Sequence, residues 1–159
     1  MNDALTAGFM SEAVQAAAQG VSRGDGGPFG AVIVRDEHVV ASAWNRVILD
    51  VDPTSHAEVN VIRAACRILG RFHLEDCELY TSCEPCPMCL GAIYWARLRT
   101  VHYAATRDDA SGIGFDDSLI YGELAANPEN RRIRFIKTDA SEAQAVMRAW
   151  QAHASRRTY

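Results

Sequence analysis

Two short clusters of residues in this sequence have the side chains and the spacing of a catalytic metal site. The first is His56-Ala57-Glu58, and the second is the pair Cys86 and Cys89. Zinc prefers imidazole and thiolate ligands, and cysteines at this spacing share one face of a helix and can bind one ion. Three protein ligands leave one tetrahedral position open for water, as in catalytic zinc sites. The spacing therefore predicts a zinc ion bound by His56, Cys86 and Cys89.

Glu58 would make this metal site hydrolytic. Water at an open zinc position is acidic enough to act as hydroxide near neutral pH. A carboxylate two residues beyond the histidine can reach that water without sharing the metal, and it can pass the water's proton to a leaving group. The combined pattern, His-x-Glu followed by Pro-Cys-x-x-Cys, is the signature of zinc-dependent nucleobase deaminases.

Cys83 leaves a second interpretation open. With the three predicted ligands it would complete a closed Cys₃His structural site, in which Glu58 would be a surface residue. Structural sites usually occur in small modules that need the metal to fold, whereas this chain is 48% apolar. A redox Cys-x-x-Cys motif would leave His56 and Glu58 without a role. We therefore favour the three-ligand site and predict that Cys83 packs beside it.

Length and composition indicate a soluble globular protein. The chain has 159 residues, of which 48% are apolar and 23% charged, and its formal net charge is −4. An acidic chain is poorly suited to a phosphate backbone, so we expect no nucleic-acid partner. The N-terminus lacks the basic region of a signal peptide, and no uncharged apolar stretch is long enough to span a bilayer. We expect a single cytoplasmic domain over residues 1–159 with no membrane partner.

The hydrophobic pattern predicts alternating helices and strands. Apolar residues at helical spacing predict helices over residues 3–21, 56–69, 87–96 and 141–153, and a short helix is expected from about Asp117. Runs rich in β-branched residues predict strands over residues 29–35, 38–44, 78–82, 100–105 and 132–138. Asp36-Glu37 suits a tight turn between the first two strands. Residues 111–115 are expected to form a loop.

This order of elements predicts an α/β fold. Strand-helix-strand alternation favours parallel pairing with helices on both faces, so we expect a three-layer α/β/α sandwich around a mixed sheet of about five strands. In open sheets of this kind, ligands bind beyond the carboxyl ends of strands, where helices begin. His56 and Cys86 fall at such positions.

Beyond these motifs, the chain resembles the cytidine/nucleotide deaminase superfamily and, within it, the small zinc-dependent guanine deaminases of bacteria. The resemblance covers nearly the whole chain and is strongest between Pro28 and Asp117. Besides the two metal motifs, it is carried by residues 26–34, 52–54, 80–97, 114–118 and 156–159. It implies a cytidine deaminase-like fold.

The resemblance implies hydrolysis of guanine to xanthine and ammonia, in purine catabolism or salvage, with one zinc ion per subunit and a small purine as substrate. Glu58 would be the proton shuttle beside the ligands His56, Cys86 and Cys89. Asp117 corresponds to a second carboxylate that binds the amino side of the substrate and assists proton delivery. The other substrate-pocket residues implied are Phe29 as a stacking ring, Asn45 as a polar contact, Ala57, Trp95 and the terminal Tyr159.

The resemblance also implies a homodimer in which the C-terminal segment, about residues 141–159, is exchanged between subunits. Simpler roles compete with some assignments, because Asp117 could cap a helix, Asn45 could be a turn residue, and Trp95 could be a core aromatic. Related deaminases for guanosine, tRNA adenosine, triazine or cytosine rings remain alternatives. The acidic charge and the Phe115-Asp116-Asp117 motif argue against the tRNA enzyme. A zinc-binding protein of this fold without catalysis is a further alternative.

Overall fold

The structure, a computed structural model that describes residues 3–158, is built around a four-stranded mixed sheet. Its strands are β1 (Gly30–Arg35), β2 (His38–Trp44), β3 (Glu78–Cys83) and β4 (Thr100–Ala105), in the spatial order β2-β1-β3-β4. β1 is antiparallel to β2 and to β3, whereas β3 and β4 are parallel. The mixed sheet is confirmed, with one strand fewer than expected.

The hairpin between β1 and β2 turns at Asp36 and Glu37, as the sequence predicts. Both residues have positive φ, 48° and 61° respectively. Two successive residues of this kind are typical of the type I′ turn, whose twist matches that of the flanking strands. This turn joins β1 to β2 and so supplies the first two strands of the sheet.

Helices cover both faces of the sheet. α1 (Asp3–Arg23) packs on the face to which Val34 contributes, while α2 (Ala57–Leu69) and α3 (Pro87–Trp95) pack on the opposite face with Ile33. Neighbouring residues of β1 point to opposite faces, and both are buried because each face has its own helical layer. The expected three-layer α/β/α sandwich is confirmed.

α1 approaches β1 most closely at Gly30. A Cβ atom at this position would lie 2.2 Å from the carbonyl oxygen of Ala13 and 2.4 Å from the backbone nitrogen of Ala17. Only glycine allows two backbones to come this near. This contact fixes where β1 begins, and with it the position of the preceding residue, Phe29.

Three further helices follow the sheet, namely α4 (Arg107–Gly112), α5 (Ser118–Ala125) and α6 (Ser141–Ala152). The sequence analysis missed α4, although Thr106 and Asp109 form a capping box at its start. It predicted α5 and α6 to within about one residue at each start. Within residues 3–158, no helix has both the length and the apolar character needed to cross a membrane.

The predicted fifth strand over residues 132–138 is wrong. This segment pairs with no strand among the described residues, and Phe135 within it is 62% exposed. A β-rich composition does not suffice, because a strand needs a partner edge for its backbone hydrogen bonds. The start of the segment is instead bonded to α5, where Glu123 accepts from Arg131 Nε through its carbonyl oxygen and from the backbone N–H of Arg132 through its carboxylate.

The chain divides into two compact units, Met1–Asp117 and Ser118–Tyr159. The first contains the whole sheet and α1 to α4. The second contains α5, α6 and the segment between them, and none of its described residues is buried. The single domain over residues 1–159 stays a prediction.

Candidate metal centre

The two segments predicted to bind the metal both begin helices on the same face of the sheet. His56 is the N-cap of α2 and Cys86 is the N-cap of α3, and both have extended backbones, with ψ of 156° and 167°. Pro87 occupies the first position of α3, where a missing N–H is tolerated. Both side chains thus lie at the positive ends of helix dipoles, which favour anionic groups such as thiolates.

The start of α2 is held by side chains on both sides of His56. Asn60 donates from Nδ2 to the carbonyl oxygens of Trp44, at 3.1 Å, and of Ser55, at 3.2 Å. The hydroxyl of Ser55 in turn donates to the Asp50 carboxylate at 2.7 Å. These bonds tie the first turns of α2 to the end of β2 and so hold the backbone segment that carries His56.

The three predicted ligands come together. Their candidate ligand atoms all lie within 4.8 Å of one another, and Nδ1 of His56 is 3.5 Å from the sulfur atoms of both Cys86 and Cys89. In a tetrahedral site with Zn–N and Zn–S bonds of about 2.0 and 2.3 Å, the nitrogen–sulfur edges measure about 3.5 Å. The donor set and its spacing therefore fit zinc. It is the one group of three or more such ligands within residues 3–158.

The electrostatics of the ligands favour a bound cation. Hydrogen bonds from Cys89 and from His56 lower the pKa of the Cys86 thiol to about 4, so this thiolate is already formed at neutral pH. The hydrogen bond to Cys86 raises the pKa of His56. The neighbouring Cys86 sulfur and burial raise the pKa of Cys89. Zinc binding would displace the thiol proton of Cys89 and any proton on Nδ1 of His56.

Glu58 lies beside the ligands in the first turn of α2 and is only 6% exposed. Its Oε1 accepts a hydrogen bond from the Thr81 hydroxyl at 3.3 Å, and its Oε2 accepts one from the Cys89 thiol at 3.4 Å. Burial raises the pKa of this carboxyl. A carboxyl that binds a proton more readily than usual, next to a metal site, has the property required of a proton shuttle.

Thr81 is a residue near the site that the sequence analysis missed. It is 1% exposed in β3, and strand alternation places it on the same face as Leu79 and Cys83, the face covered by α2 and α3. The available signal was a hydroxyl on the buried face of a strand that leads directly into the cysteine motif.

Cys83 is not part of the ligand cluster. Its thiol donates to the carbonyl oxygen of Thr106 at 3.5 Å, and burial raises its pKa to about 11. Cys83 therefore remains a thiol, and the structure gives no support to a closed Cys₃His site. It agrees with the prediction that Cys83 packs near the ligands.

Asn45 is buried and rigidly held next to Phe29. Its side-chain Oδ1 accepts from the backbone N–H groups of Gly27 and Val47, each at 3.2 Å, and its backbone N–H donates to the carbonyl oxygen of Phe29 at 2.9 Å. A Cβ atom on Gly26 would lie 2.1 Å from Oδ1, so this approach requires glycine. The bonds fix the orientation of the amide, which a substrate contact would need; the contact itself stays a prediction.

Phe29 forms an aromatic pair with Phe115, with ring centroids 4.9 Å apart and planes at 87°. Gly27 lies under both rings, because a Cβ atom there would be 2.9 Å from Phe115 and 3.0 Å from Phe29. Edge-to-face pairs of this kind are favourable and hold each ring in place. Phe115 is a second aromatic residue that the sequence analysis did not assign to the pocket.

Asp117 is partly buried and lies near Arg107, with Oδ1 3.8 Å from the guanidinium. Burial raises the pKa of its carboxyl, against the opposing effect of Arg107, and the Cys86 thiolate raises it further. Asp117 is thus a carboxyl with a raised pKa and a cationic neighbour.

The structure does not bring all of the other predicted substrate-pocket residues to the metal ligands. Ala57 is fully buried between His56 and Glu58. Trp95 is the last residue of α3, at the opposite end of that helix from Cys86, and it is 68% exposed. A single subunit therefore does not bring Trp95 to the metal ligands. Tyr159 lies outside the described residues.

Comparison with known proteins agrees with this arrangement. The chain is 52% identical to guanine deaminase from Bacillus subtilis over 151 residues, which cover 95% of this chain and 97% of that relative. It matches an X-ray structure of guanine deaminase from the same organism with a TM-score of 0.92, covering 95% of this chain and 96% of that one. It is also 37% identical to a tRNA-specific adenosine deaminase from Aquifex aeolicus over 139 residues, 87% of this chain and 89% of the relative.

The sequence profile of the cytidine and deoxycytidylate deaminase zinc-binding region matches residues 5–105. This span contains the three ligand residues and Glu58, and it includes all four strands of the sheet. Both the fold and the zinc-binding motifs therefore fall within the matched region. The chain belongs to the cytidine and deoxycytidylate deaminase zinc-binding family.

Proposed function

We propose that this chain is a zinc-dependent guanine deaminase, which converts guanine and water to xanthine and ammonia. The observation that carries the proposal is the buried Glu58 carboxylate beside three ligands that fit zinc, in a chain whose likeness to a guanine deaminase extends over nearly its full length. We expect it to act in the cytoplasm on the free base, without a nucleic-acid partner.

The reaction exchanges one bond at the ring carbon that carries the exocyclic amine. A carbon–oxygen bond forms from water, the carbon–nitrogen bond breaks, and the amine leaves as ammonia after it has been protonated. His56, Cys86 and Cys89 would hold the zinc ion, which would act as a Lewis acid and lower the pKa of a bound water to near neutrality. The protein must then move the proton from the water to the leaving amine.

Glu58 would carry that proton. Its Oε2 is the carboxylate oxygen nearer to Cys89, and it would accept the proton of the attacking water and deliver it to the departing amine. Because burial raises the pKa of Glu58, the carboxyl can hold the proton between the two transfers. One buried carboxylate can therefore serve as base and then as acid.

Three other residues would bind the substrate. Asp117 would accept a hydrogen bond from the amino group of guanine, with Arg107 balancing its charge. Asn45 would contact the polar edge of the base, since its side chain is already oriented by backbone bonds. Phe29, held by its pair with Phe115, would pack against the face of the ring. A planar base needs this combination of a polar edge and an apolar face.

A substrate panel tests the proposal. We expect kcat/KM for guanine to exceed that for adenosine, cytosine or guanosine by at least about 10²-fold, because sites that hydrogen-bond a substrate reject analogues that leave buried polar groups unpaired. The measurement is ammonia release from each compound, with the Glu58→Gln variant as the blank for contaminating activity. Equal or greater turnover of any other compound would overturn the assignment of guanine.

We further propose a homodimer in which residues 141–159 are exchanged between subunits, as the resemblance to bacterial guanine deaminases implies. Residues 118–159 contain seven basic and four acidic residues, a net charge of +3, whereas residues 1–117 contain nine and sixteen, a net charge of −7. Such opposite charges favour association of one copy with another. Exposed apolar side chains in the second unit, such as Met147 at 69%, are a surface that a second copy would cover.

Complementation between two inactive variants tests the exchange. Glu58→Gln damages the first unit, and Tyr159→Ala damages the C-terminal segment. If the segments are exchanged, a mixed dimer contains one site with an intact Glu58 and an intact Tyr159, so co-expression restores activity above that of either variant alone. The control pair, Glu58→Gln with Cys89→Ser, should restore none, because each variant damages the same unit. A dimer mass by sedimentation without complementation would retain the dimer and reject the exchange.

A further inference from the structure

We propose that Thr81 is a positioning residue, whose hydroxyl holds Oε1 of Glu58 so that Oε2 remains directed at the reacting water. The contact is the hydrogen bond of 3.3 Å from Thr81 Oγ1 to Glu58 Oε1, between a residue of β3 and one of α2. This inference rests on the proposed function in one respect, namely that Glu58 transfers a proton during deamination.

The position of Thr81 is fixed by the sheet. β3 is an interior strand, and Thr81 pairs with Ala31 of β1 on one side and with Tyr103 of β4 on the other. The residue is 1% exposed, and its β-branched side chain has few rotamers available. Its hydroxyl is therefore a rigid donor, unlike one on a loop.

A buried hydroxyl in this layer needs a specific partner. The residues on the same face of the sheet are mainly apolar, among them Ile33 and Leu79, and a hydroxyl transferred into such surroundings without a hydrogen bond is unfavourable. The Glu58 carboxylate provides that bond. Conversely, a buried carboxylate needs donors to keep one orientation, and Thr81 supplies one to Oε1.

The two oxygens of the Glu58 carboxylate have different donors. In the described structure two side chains donate to Glu58, the hydroxyl of Thr81 to Oε1 and the thiol of Cys89 to Oε2. Thr81 therefore holds Oε1, and Oε2 is the oxygen on the side of the predicted metal ligands.

The bond matters most while the proton moves. Transfer requires the accepting oxygen to lie within hydrogen-bond distance of the water in one orientation. Without the Thr81 hydroxyl, the carboxylate can rotate about its last bond and populate orientations that do not accept the proton. Because this changes the chemical step and not substrate contacts, we expect kcat to fall while KM is retained.

Three substitutions test the proposal on the zinc-loaded protein. Thr81→Val keeps the shape and removes the hydroxyl, and we expect it to lower kcat by about 10- to 100-fold with KM within about twofold of the parent. Thr81→Ser keeps the hydroxyl and should retain most of the activity. Thr100→Val makes the same chemical change at an exposed position of β4 and should leave kcat unchanged. Zinc content and thermal unfolding should match the parent in all three.

Several outcomes would overturn the proposal. The first is a Thr81→Val variant that keeps the kcat of the parent. The second is a Thr81→Ser variant whose kcat falls as far as that of Thr81→Val. The third is a fall in kcat that is proportional to a loss of bound zinc. A parent that fails to deaminate guanine would refute the proposed function instead, and the variants are then compared on the panel compound that the parent does deaminate. A crystal structure of zinc-loaded Thr81→Val gives a readout that is independent of turnover, since Glu58 should leave its parental orientation. An unmoved Glu58 would reject the positioning role.

Discussion

The Glu58→Gln variant is expected to keep its zinc and to lose about 10²–10⁴-fold in kcat for guanine deamination, the usual contribution of a positioned proton-transfer group. Glutamine has nearly the shape of glutamate, and its amide oxygen can still accept the hydrogen bond from Thr81. Its amide cannot take a proton from water or return one to the leaving amine. The substitution therefore removes the proton shuttle and leaves the surroundings in place.

The zinc content of the Glu58→Gln variant shows whether Glu58 transfers protons or contributes to metal binding. The ligand cluster consists of His56, Cys86 and Cys89, so zinc measured by elemental analysis should stay at one ion per subunit. Glu12→Gln, the same change on α1, is the matched control and should keep full activity. Full activity in Glu58→Gln would refute the shuttle, whereas loss of zinc would mean that the carboxylate contributes to metal binding.

The site was largely predictable because its key residues act through local spacing. His56 and Glu58 are two residues apart at one helix start, and Cys86 and Cys89 lie on one turn of another. Motifs of this kind carry their geometry with them, since helix periodicity determines which side chains share a face. The sequence could therefore predict that these side chains come together, and the structure brings His56, Cys86 and Cys89 into one cluster.

The contacts that support these residues were not predictable in the same way. Thr81 and Glu58 are 23 positions apart, and they meet only because β3 lies beneath α2. The pair of Phe29 and Phe115 likewise joins distant segments across Gly27. Such contacts depend on the packing of layers, and nothing in the local pattern marks them.

The difference between local features and long-range contacts also explains which elements of the fold were predicted correctly. The hairpin at Asp36-Glu37 and the helix starts are local features, and they were predicted to within a few residues. The strand predicted over residues 132–138 depends on a partner edge, which composition does not supply, and it does not form.

The second large effect is expected from Cys89→Ser. A serine hydroxyl stays protonated at neutral pH and is a poor zinc ligand compared with a thiolate. Changes around a metal site, without loss of a ligand, already cost about 10–100-fold in metal affinity, so we expect at least that loss here, together with loss of activity. Competition with a chromophoric chelator measures the affinity, and activity in the parent should disappear on chelation and return when zinc is added.

Cys83→Ser is the control that separates an open site from a closed one. Cys83 lies six residues before Cys89, but its thiol donates to the carbonyl oxygen of Thr106, a bond that a serine hydroxyl can also make. We therefore expect this variant to bind zinc as the parent does and to retain its activity. If Cys83→Ser lost as much zinc affinity as Cys89→Ser, four protein ligands would surround the metal. No position would then remain for the water that Glu58 is proposed to deprotonate, and the hydrolytic mechanism would fail together with the open site.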